Sequence, residues 1–158
     1  MKLPRPLHCV SITAILFVTG LVSATGITAF ADEVPSPSSP TPPYTVECEK
    51  NEAEGVTVCK VDKQTFIGWR TYHAVCHVCH AQDAVGSTFA PSLVERVGVI
   101  SEERFMDVLD NGYTGQIGVM PAWKDNPNVN KRYDALYSYL KARADGVLPP
   151  GRPQKLAN

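Results

Sequence analysis

The sequence predicts a mostly α-helical domain that is preceded by a β-hairpin. Apolar and aromatic side chains recur at helical spacing in three segments of the chain. Ahead of these segments, valines lie on both sides of a polar turn at 51–55, as in a hairpin. Loops that contain glycine and proline separate the segments, and no internal repeat is visible. The length of 158 residues suits one compact domain rather than two.

Residues 1–31 have the order of a secretory signal peptide. Lys2 and Arg5 lie at the start, an apolar run follows through 12–22, and a small-residue cleavage site lies at 29–31. We expect cleavage at this site and a periplasmic protein. The alternative is an uncleaved membrane anchor, because about 20 apolar residues span a bilayer. The rest of the chain lies outside the cytoplasm in both cases, and we expect membrane contact only if the signal stays uncleaved.

A tether and a hairpin follow the signal. Residues 32–43 are rich in proline and contain no aromatic side chain, which predicts an extended tether. Residues 44–61 predict the β-hairpin, with Cys48 and Cys59 on opposite arms. We expect these cysteines to form a disulfide, because the compartment is oxidising and their number is even. Closing this loop contributes about 3 kcal/mol to stability; the alternative is two free thiols.

The first helix of the domain is predicted over about 63–76, with Asp62 as its N-cap. Aromatic side chains repeat along it at helical spacing, and we interpret this stripe as a face that packs on the core; its members are Phe66, Trp69 and His73, with Tyr72 beside them.

Two further helices are predicted. Ser101 caps a helix over 102–110, and an amphipathic helix covers 130–144. Between them the chain is expected to be irregular. The helical domain then spans 62–146, and residues 147–158 form a C-terminal tail.

The chemistry of the domain lies in the sequence Cys76-His77-Val78-Cys79-His80. This is the C-x-x-C-H attachment signal for c-type haem. Two thiols three positions apart on a helical turn reach the two vinyl groups on one edge of a porphyrin. His80 then presents its imidazole to the iron as the proximal ligand. The sequence therefore predicts one covalent haem c, bound by Cys76 and Cys79.

Two other interpretations of these cysteines are weaker. A zinc site needs a second pair of ligands, and only Cys48 and Cys59, eleven residues apart on a hairpin, are left to supply one. A thioredoxin-type redox pair needs a βαβ context, and the sequence predicts none.

The identity of the sixth iron ligand decides between an electron carrier and a haem enzyme. Met120 lies in an irregular loop 40 residues after His80, which lets the chain pass from one haem face to the other. Met106 lies within a predicted helix and is better explained as a core residue. His73 and His77 lie at the same end of the helix as the attachment cysteines, so we do not expect them to reach the far face. We therefore expect Met120 to ligate the iron.

A histidine–methionine iron has no open coordination site, so we expect an electron-transfer protein and not an enzyme. The second ring nitrogen of His80 needs an acceptor. The backbone carbonyl of Pro91 is our candidate for it. The composition excludes a nucleic-acid binder, because 15 Lys and Arg are matched by 16 Asp and Glu and no basic run exists.

At these residues the chain resembles the monohaem cytochrome c family over about 66–144. Gly68 and Tyr72 are similar to that family's Gly-x-x-x-aromatic contact on the first helix, and the sequence from Met120 to Trp123 (MPAW) resembles its distal-ligand loop. The resemblance implies the cytochrome c fold, in which three main helices surround one covalently bound haem.

A narrower resemblance concerns the four cysteines. Cys48 and Cys59, together with the stretch FAPSLVERV at 89–97, resemble the four-cysteine c-type cytochromes associated with methanol metabolism. Those proteins are similar in role to cytochromes that accept electrons from pyrroloquinoline-quinone alcohol dehydrogenases, including lanthanide-dependent methanol dehydrogenases. The resemblance implies such a quinoprotein as the electron donor and a downstream cytochrome or terminal oxidase as the acceptor. Candidates for an apolar docking rim are Val78, Ala81 and the region of Trp123.

Three other functions remain open at this point. The first is a general respiratory shuttle to a terminal oxidase. The second is a small haem peroxidase, in which Met120 would leave the iron to open a site. The third is a tethered domain of a larger oxidase or dehydrogenase complex.

Overall fold

The computed structural model describes residues 41–116 and 118–157. The predicted signal peptide and most of the predicted tether lie outside these residues. A hairpin precedes a mostly helical domain, which confirms the predicted fold class. The elements in chain order are β1 (Val46–Asn51), β2 (Val56–Val61), α1 (Lys63–Thr71), α2 (His77–His80), α3 (Leu93–Val97), α4 (Glu102–Asn111), β3 (Tyr113–Thr114), β4 (Val119–Met120), α5 (Tyr133–Ala144) and β5 (Gln154–Lys155).

The hairpin carries the predicted disulfide. β1 and β2 pair antiparallel, and the register places Cys48 directly opposite Cys59. Their Cα atoms are 4.1 Å apart and their sulfurs are bonded. The disulfide is confirmed, and the two alternatives of free thiols and an all-cysteine zinc site are ruled out. Cys76 and Cys79 take no part in a disulfide.

The first helical segment is longer than predicted and changes its winding. α1 is followed by one π-helical stretch at Tyr72–Cys76 and then by α2, so helical backbone continues to His80. In the π-helical stretch the N–H of His77 donates to the carbonyl of Tyr72. Single π-helical turns inside helices are rare and occur often at functional sites. Here the π-helical stretch ends at the first cysteine of the attachment motif.

Asp62 begins α1 as its N-cap and also joins the helix to the hairpin. Its carboxylate accepts hydrogen bonds from the N–H of Thr65 at 2.9 Å and from the N–H of Thr45 at 2.6 Å. Burial alone raises the pKa of Asp62, but these hydrogen bonds outweigh burial and hold the pKa below its ordinary value of 3.8.

We expect Asp62→Ala to lower the free energy of unfolding by about 1 kcal/mol at neutral pH, because the cap is lost. A carboxyl whose pKa is lower in the folded than in the unfolded state adds stability above the unfolded pKa, and this stability is lost as pH falls through the folded pKa. The difference between the wild type and the variant should therefore shrink below pH 3.8. Urea unfolding at neutral and at acidic pH measures it, and a pH-independent difference would contradict the assignment.

α1 crosses α5 at very close range. A Cβ atom added to Gly68 would lie 1.8 Å from the carbonyl oxygen of Ala135, so only glycine fits there. Next to this contact Tyr72 and Tyr139 are fully buried, with their ring centroids 5.5 Å apart. The aromatic stripe on α1 is only half-buried, and the C-terminal segment covers part of it, since the guanidinium of Arg152 lies 5.5 Å from the ring centroid of Trp69.

Three features were not predicted. α3 begins at Ser92, whose hydroxyl accepts from the N–H of Glu95. β3 and β4 pair antiparallel in the region expected to be irregular. The segment after α5 is not a loose tail, because Leu148 is buried and β5 pairs in parallel with β2. Within residues 41–116 and 118–157, no helix has both the length and the hydropathy needed to cross a membrane.

Candidate haem site

The attachment motif lies on continuous helical backbone, from the end of the π-helical stretch through α2. Cys76 ends the π-helical stretch and is half-buried, whereas Cys79 lies in α2 and is exposed. His80 closes α2 and is buried, with 7% of its surface exposed. The motif thus presents two thiols on consecutive turns and an imidazole that points into the protein, which is the donor set that haem c requires.

The ring of His80 is oriented by a second residue. Its Nδ1 lies 2.9 Å from the carbonyl oxygen of Pro91, the acceptor suggested above. A carbonyl only accepts, so Nδ1 carries the proton and Nε2 keeps a free lone pair. Burial lowers the pKa of His80, and the hydrogen bond to Pro91 offsets this only in part. The imidazole is therefore neutral near pH 7, as a metal ligand must be.

The thiols also suit covalent attachment. Burial, and to a lesser extent the nearby Cys79, raises the pKa of the Cys76 thiol to about 12. The thiol is uncharged at neutral pH, and its surroundings favour a neutral sulfur such as the one in a thioether. These residues fit a covalently bound haem.

The chain after the motif folds back against it. The N–H of Gly86 donates to the carbonyl of His80 at 2.9 Å, and the hydroxyl of Ser87 donates to the carbonyl of Cys79 at 2.5 Å. The N–H of Phe89 in turn donates to the Ser87 hydroxyl at 3.0 Å. These contacts bring Pro91 back to His80.

Met120 lies on β4, opposite Tyr113 of β3. Its side chain is half-buried and packs against the same hydrophobic core as Cys76. A close approach fixes its backbone, because a Cβ atom added to Gly112 would lie 2.6 Å from the carbonyl oxygen of Met120. Gly112 also has φ of +75°, which favours glycine. Met106 lies on α4 and packs on this core as well.

Of the two alternative histidines, His73 lies just before the attachment motif and His77 lies within it, as the sequence indicates. The Nδ1 of His73 lies 2.9 Å from the carbonyl oxygen of Trp69, and its Nε2 lies 3.9 Å from a carboxylate oxygen of Asp83. The ring of His77 stacks on that of His73, with centroids 6.3 Å apart.

Comparison with known proteins identifies the family. Residues 64–140 match the family described as "Cytochrome C oxidase, cbb3-type, subunit III". The chain is 44% identical over 99 residues to cytochrome c-553I of Paracoccus denitrificans, which covers 60% of this chain and 44% of that protein. It is 32% identical over 96 residues to cytochrome c-555 of Methylococcus capsulatus, which covers 60% of this chain and 75% of that protein. The chain belongs to the c-type cytochromes.

A solved structure agrees with this family. The c-type cytochrome XoxG from Methylobacterium extorquens AM1 is 41% identical, with a TM-score of 0.59 over 66% of this chain and 70% of that one. The cytochrome c fold, the covalent haem c and the role of an electron carrier are thereby confirmed, and these relatives are named as cytochromes, none of them as an enzyme. The likeness to XoxG also supports the narrower resemblance to the methanol-related c-type cytochromes. The chain spans only 44% of the length of cytochrome c-553I.

Sequence reasoning missed several side chains that shape the surroundings of this cytochrome's haem site. Tyr72 was assigned to packing, but its hydroxyl also donates to the carbonyl of Ala81, directly after His80. Ser87 and Arg143 were not singled out at all. A basic residue in the last turn of a helix usually serves that helix's own C-terminus, so the sequence carries no signal that Arg143 reaches a distant loop.

Proposed function

We propose that this cytochrome is an exported one-electron carrier in which Cys76 and Cys79 hold the haem and His80 and Met120 ligate its iron. The single observation that carries the proposal is the neutral, oriented imidazole of His80 at the end of the attachment motif. When bound, haem c supplies a centre that changes its charge by one electron. His80 offers the lone pair of Nε2, Pro91 holds the ring by its Nδ1–H, and the thioether of Met120 favours the reduced state.

We further propose that the electron donor is a quinoprotein methanol or alcohol dehydrogenase located outside the cytoplasm. The likeness to XoxG supports this donor, together with the four-cysteine pattern. A downstream cytochrome or terminal oxidase then accepts the electron. A second candidate function is a general respiratory shuttle that is reduced by a quinol-oxidising complex. The match to a family named after an oxidase subunit supports this candidate.

The surface around Cys79 is apolar and uncharged, which suits transient docking to an electron donor. Val78 and Phe89 are 71% and 72% exposed, and Val119 is 73% exposed. The loops that carry Phe89 and Val119 adjoin, because a Cβ atom added to Gly118 would lie 3.3 Å from the carbonyl oxygen of Phe89. Residues 84–94 and 111–123 contain no Asp, Glu, Lys or Arg. Of the other rim candidates, Ala81 and Trp123 are half-buried.

We expect Phe89→Ser to lower the second-order rate constant of haem reduction by the donor about 10-fold, since burial of one aromatic side chain in a docking interface is worth about 1–2 kcal/mol. The reduction potential should not change. Because both loops are uncharged, the wild-type rate should depend only weakly on ionic strength. Val99→Ser removes a side chain that is 79% exposed outside both loops, and it serves as the control. Equal rates for the two variants would contradict this docking surface.

Stopped-flow spectroscopy tests the donor. The purified holoprotein is mixed with a reduced quinoprotein alcohol dehydrogenase, and in parallel with a quinol-oxidising complex. Fast haem reduction by the dehydrogenase alone supports the proposal. Reduction only by the quinol-oxidising complex would replace the assigned donor with the general shuttle. Intact-mass measurement of the exported protein tests cleavage after Ala31.

A further inference from the structure

The residues directly after His80 have an unusual backbone. Ala81, Asp83 and Ala84 have φ angles of 62°, 60° and 66°. Positive φ angles are uncommon for residues other than glycine. Ala81, with ψ of 170°, lies in a region that is almost confined to glycine. Such conformations persist only where the surrounding structure holds them, and they cluster at functional sites.

Arg143 holds this loop from the last turn of α5. It is 7% exposed, and its Nη2 and Nε donate to the carbonyl oxygen of Asp83 at 3.2 and 3.4 Å. Its Nη1 donates to the carbonyl oxygen of Leu148 at 2.6 Å. A planar guanidinium donates in several fixed directions at once, which an ammonium group cannot do in the same way. Arg143 therefore connects the loop, α5 and the C-terminal segment.

Two further hydrogen bonds hold the loop 81–84. The hydroxyl of Tyr72 donates to the carbonyl of Ala81, and the N–H of Gly151 donates to the carboxylate of Asp83 at 2.9 Å. The peptide between His80 and Ala81 is thus the end of a backbone segment that the π-helical stretch, α5 and the C-terminal segment all contact. If the loop relaxed, the direction of the His80 side chain would change with it.

We propose that Arg143 is a positioning residue for the haem iron, because it holds the strained loop 81–84 and through it the orientation of the His80 ring. This inference rests on the proposed role of His80 as iron ligand. Groups that orient a metal ligand from outside the coordination shell also tune the metal, so the loop should affect the electronic state of the iron as well as the stability of the fold.

The test is the proton NMR spectrum of the ferric holoprotein. The hyperfine-shifted haem methyl signals depend on the plane of the axial imidazole, which a purely structural role of Arg143 would leave unchanged. In Arg143→Gln we expect the native set of methyl signals to be replaced by a shifted or duplicated set. Lys141→Gln is the matched control on the same helix, because the half-buried side chain of Lys141 pairs with Asp145 and makes no described contact with the loop 81–84, so this variant should keep the native set.

A second variant distinguishes backbone strain at Ala81 from the simple loss of the Arg143 contact. Glycine at position 81 adopts the observed backbone without strain, so Ala81→Gly should restore the native methyl set in the Arg143→Gln background. If Arg143→Gln does not assemble with haem, the double variant should regain assembly together with the native set. A double variant that still shows the shifted set, or that fails to assemble, overturns the proposal, as does an Arg143→Gln spectrum identical to the wild type.

The variant His80→Gly distinguishes failure of this inference from failure of the proposed function. Loss of the native haem spectrum in His80→Gly alongside an unchanged Arg143→Gln spectrum would leave the ligand assignment standing and remove only the positioning role. A native spectrum in His80→Gly would instead remove the ligand assignment itself.

Discussion

Replacing Met120 with alanine is expected to abolish the weak far-red absorption band of the ferric protein and to lower its reduction potential. The thioether favours the ferrous iron, so its loss stabilises the ferric state. The fall should be a sizeable part of the roughly 0.8 V range over which axial ligands set haem potentials. Visible spectroscopy and a redox titration of the purified holoprotein measure both effects.

Met106→Ala is the matched control, because Met106 is also half-buried and packs on the same core. This variant should keep the far-red band and lose only stability, by an amount below the 2–5 kcal/mol that is typical of fully buried methionine. A band that survives in Met120→Ala but disappears in Met106→Ala would assign the sixth ligand to Met106. The preference for a loop methionine over one within a helix would then have been wrong.

The same variant bears on the peroxidase alternative. If Met120 is the sixth ligand as proposed, Met120→Ala opens a coordination position, so we expect the variant to bind an added small ligand such as cyanide much more readily than the wild type. A wild type that already binds such a ligand rapidly would indicate that Met120 leaves the iron, as a peroxidase requires.

The parts of this fold that the sequence predicts are those with local causes. The hairpin follows from alternation around a polar turn, and direct pairing of Cys48 with Cys59 follows once the register is set. α4 begins at its predicted cap, Ser101, because a hydroxyl that accepts from the N–H of Arg104 is a local interaction. The parts that were missed depend on tertiary contacts. α3 has only five residues, and β5 exists only because the C-terminal segment returns to β2.

The residues of the haem site likewise fall into those that a local pattern predicts and those that depend on tertiary contacts. Cys76, Cys79 and His80 lie within five consecutive residues, so local helical geometry alone brings them together. The Pro91 carbonyl is the acceptor that we name as a candidate from the sequence, and it does lie against the ring of His80. The contact from Arg143 to Asp83 joins residues 60 positions apart, and no local pattern indicates it. The hydrophobic pattern likewise does not predict the π-helical stretch before Cys76, because the same pattern is expected for one continuous α-helix.

Gly68→Ala is expected to cost a large part of the stability of the fold. The added methyl group would lie 1.8 Å from the carbonyl oxygen of Ala135, 2.6 Å from its carbon and 2.9 Å from the Cβ atom of Tyr139. Because backbone atoms cannot rotate away as side chains do, α1 and α5 would have to separate. Overpacking in a core costs about 1–3 kcal/mol, and a backbone contact belongs at or above the upper end of that range.

A loss of about 3 kcal/mol is large beside the 5–15 kcal/mol of total stability that is usual for a domain. It should lower the melting temperature by about 10 °C for a domain of this size. Thermal unfolding followed by circular dichroism measures it. Gly98→Ala is the matched control, because φ at Gly98 is −65° and its added methyl group would meet its nearest neighbour at 3.4 Å.

We expect the control to unfold within a few degrees of the wild type, or slightly above it, since alanine restricts the unfolded chain. The pair of variants thus separates the general effect of adding a methyl group from the specific contact between α1 and α5. Equal melting temperatures for Gly68→Ala and Gly98→Ala would mean that the two helices do not meet at Gly68. The packing of Tyr72 against Tyr139, which lies next to that contact, would then need a different explanation.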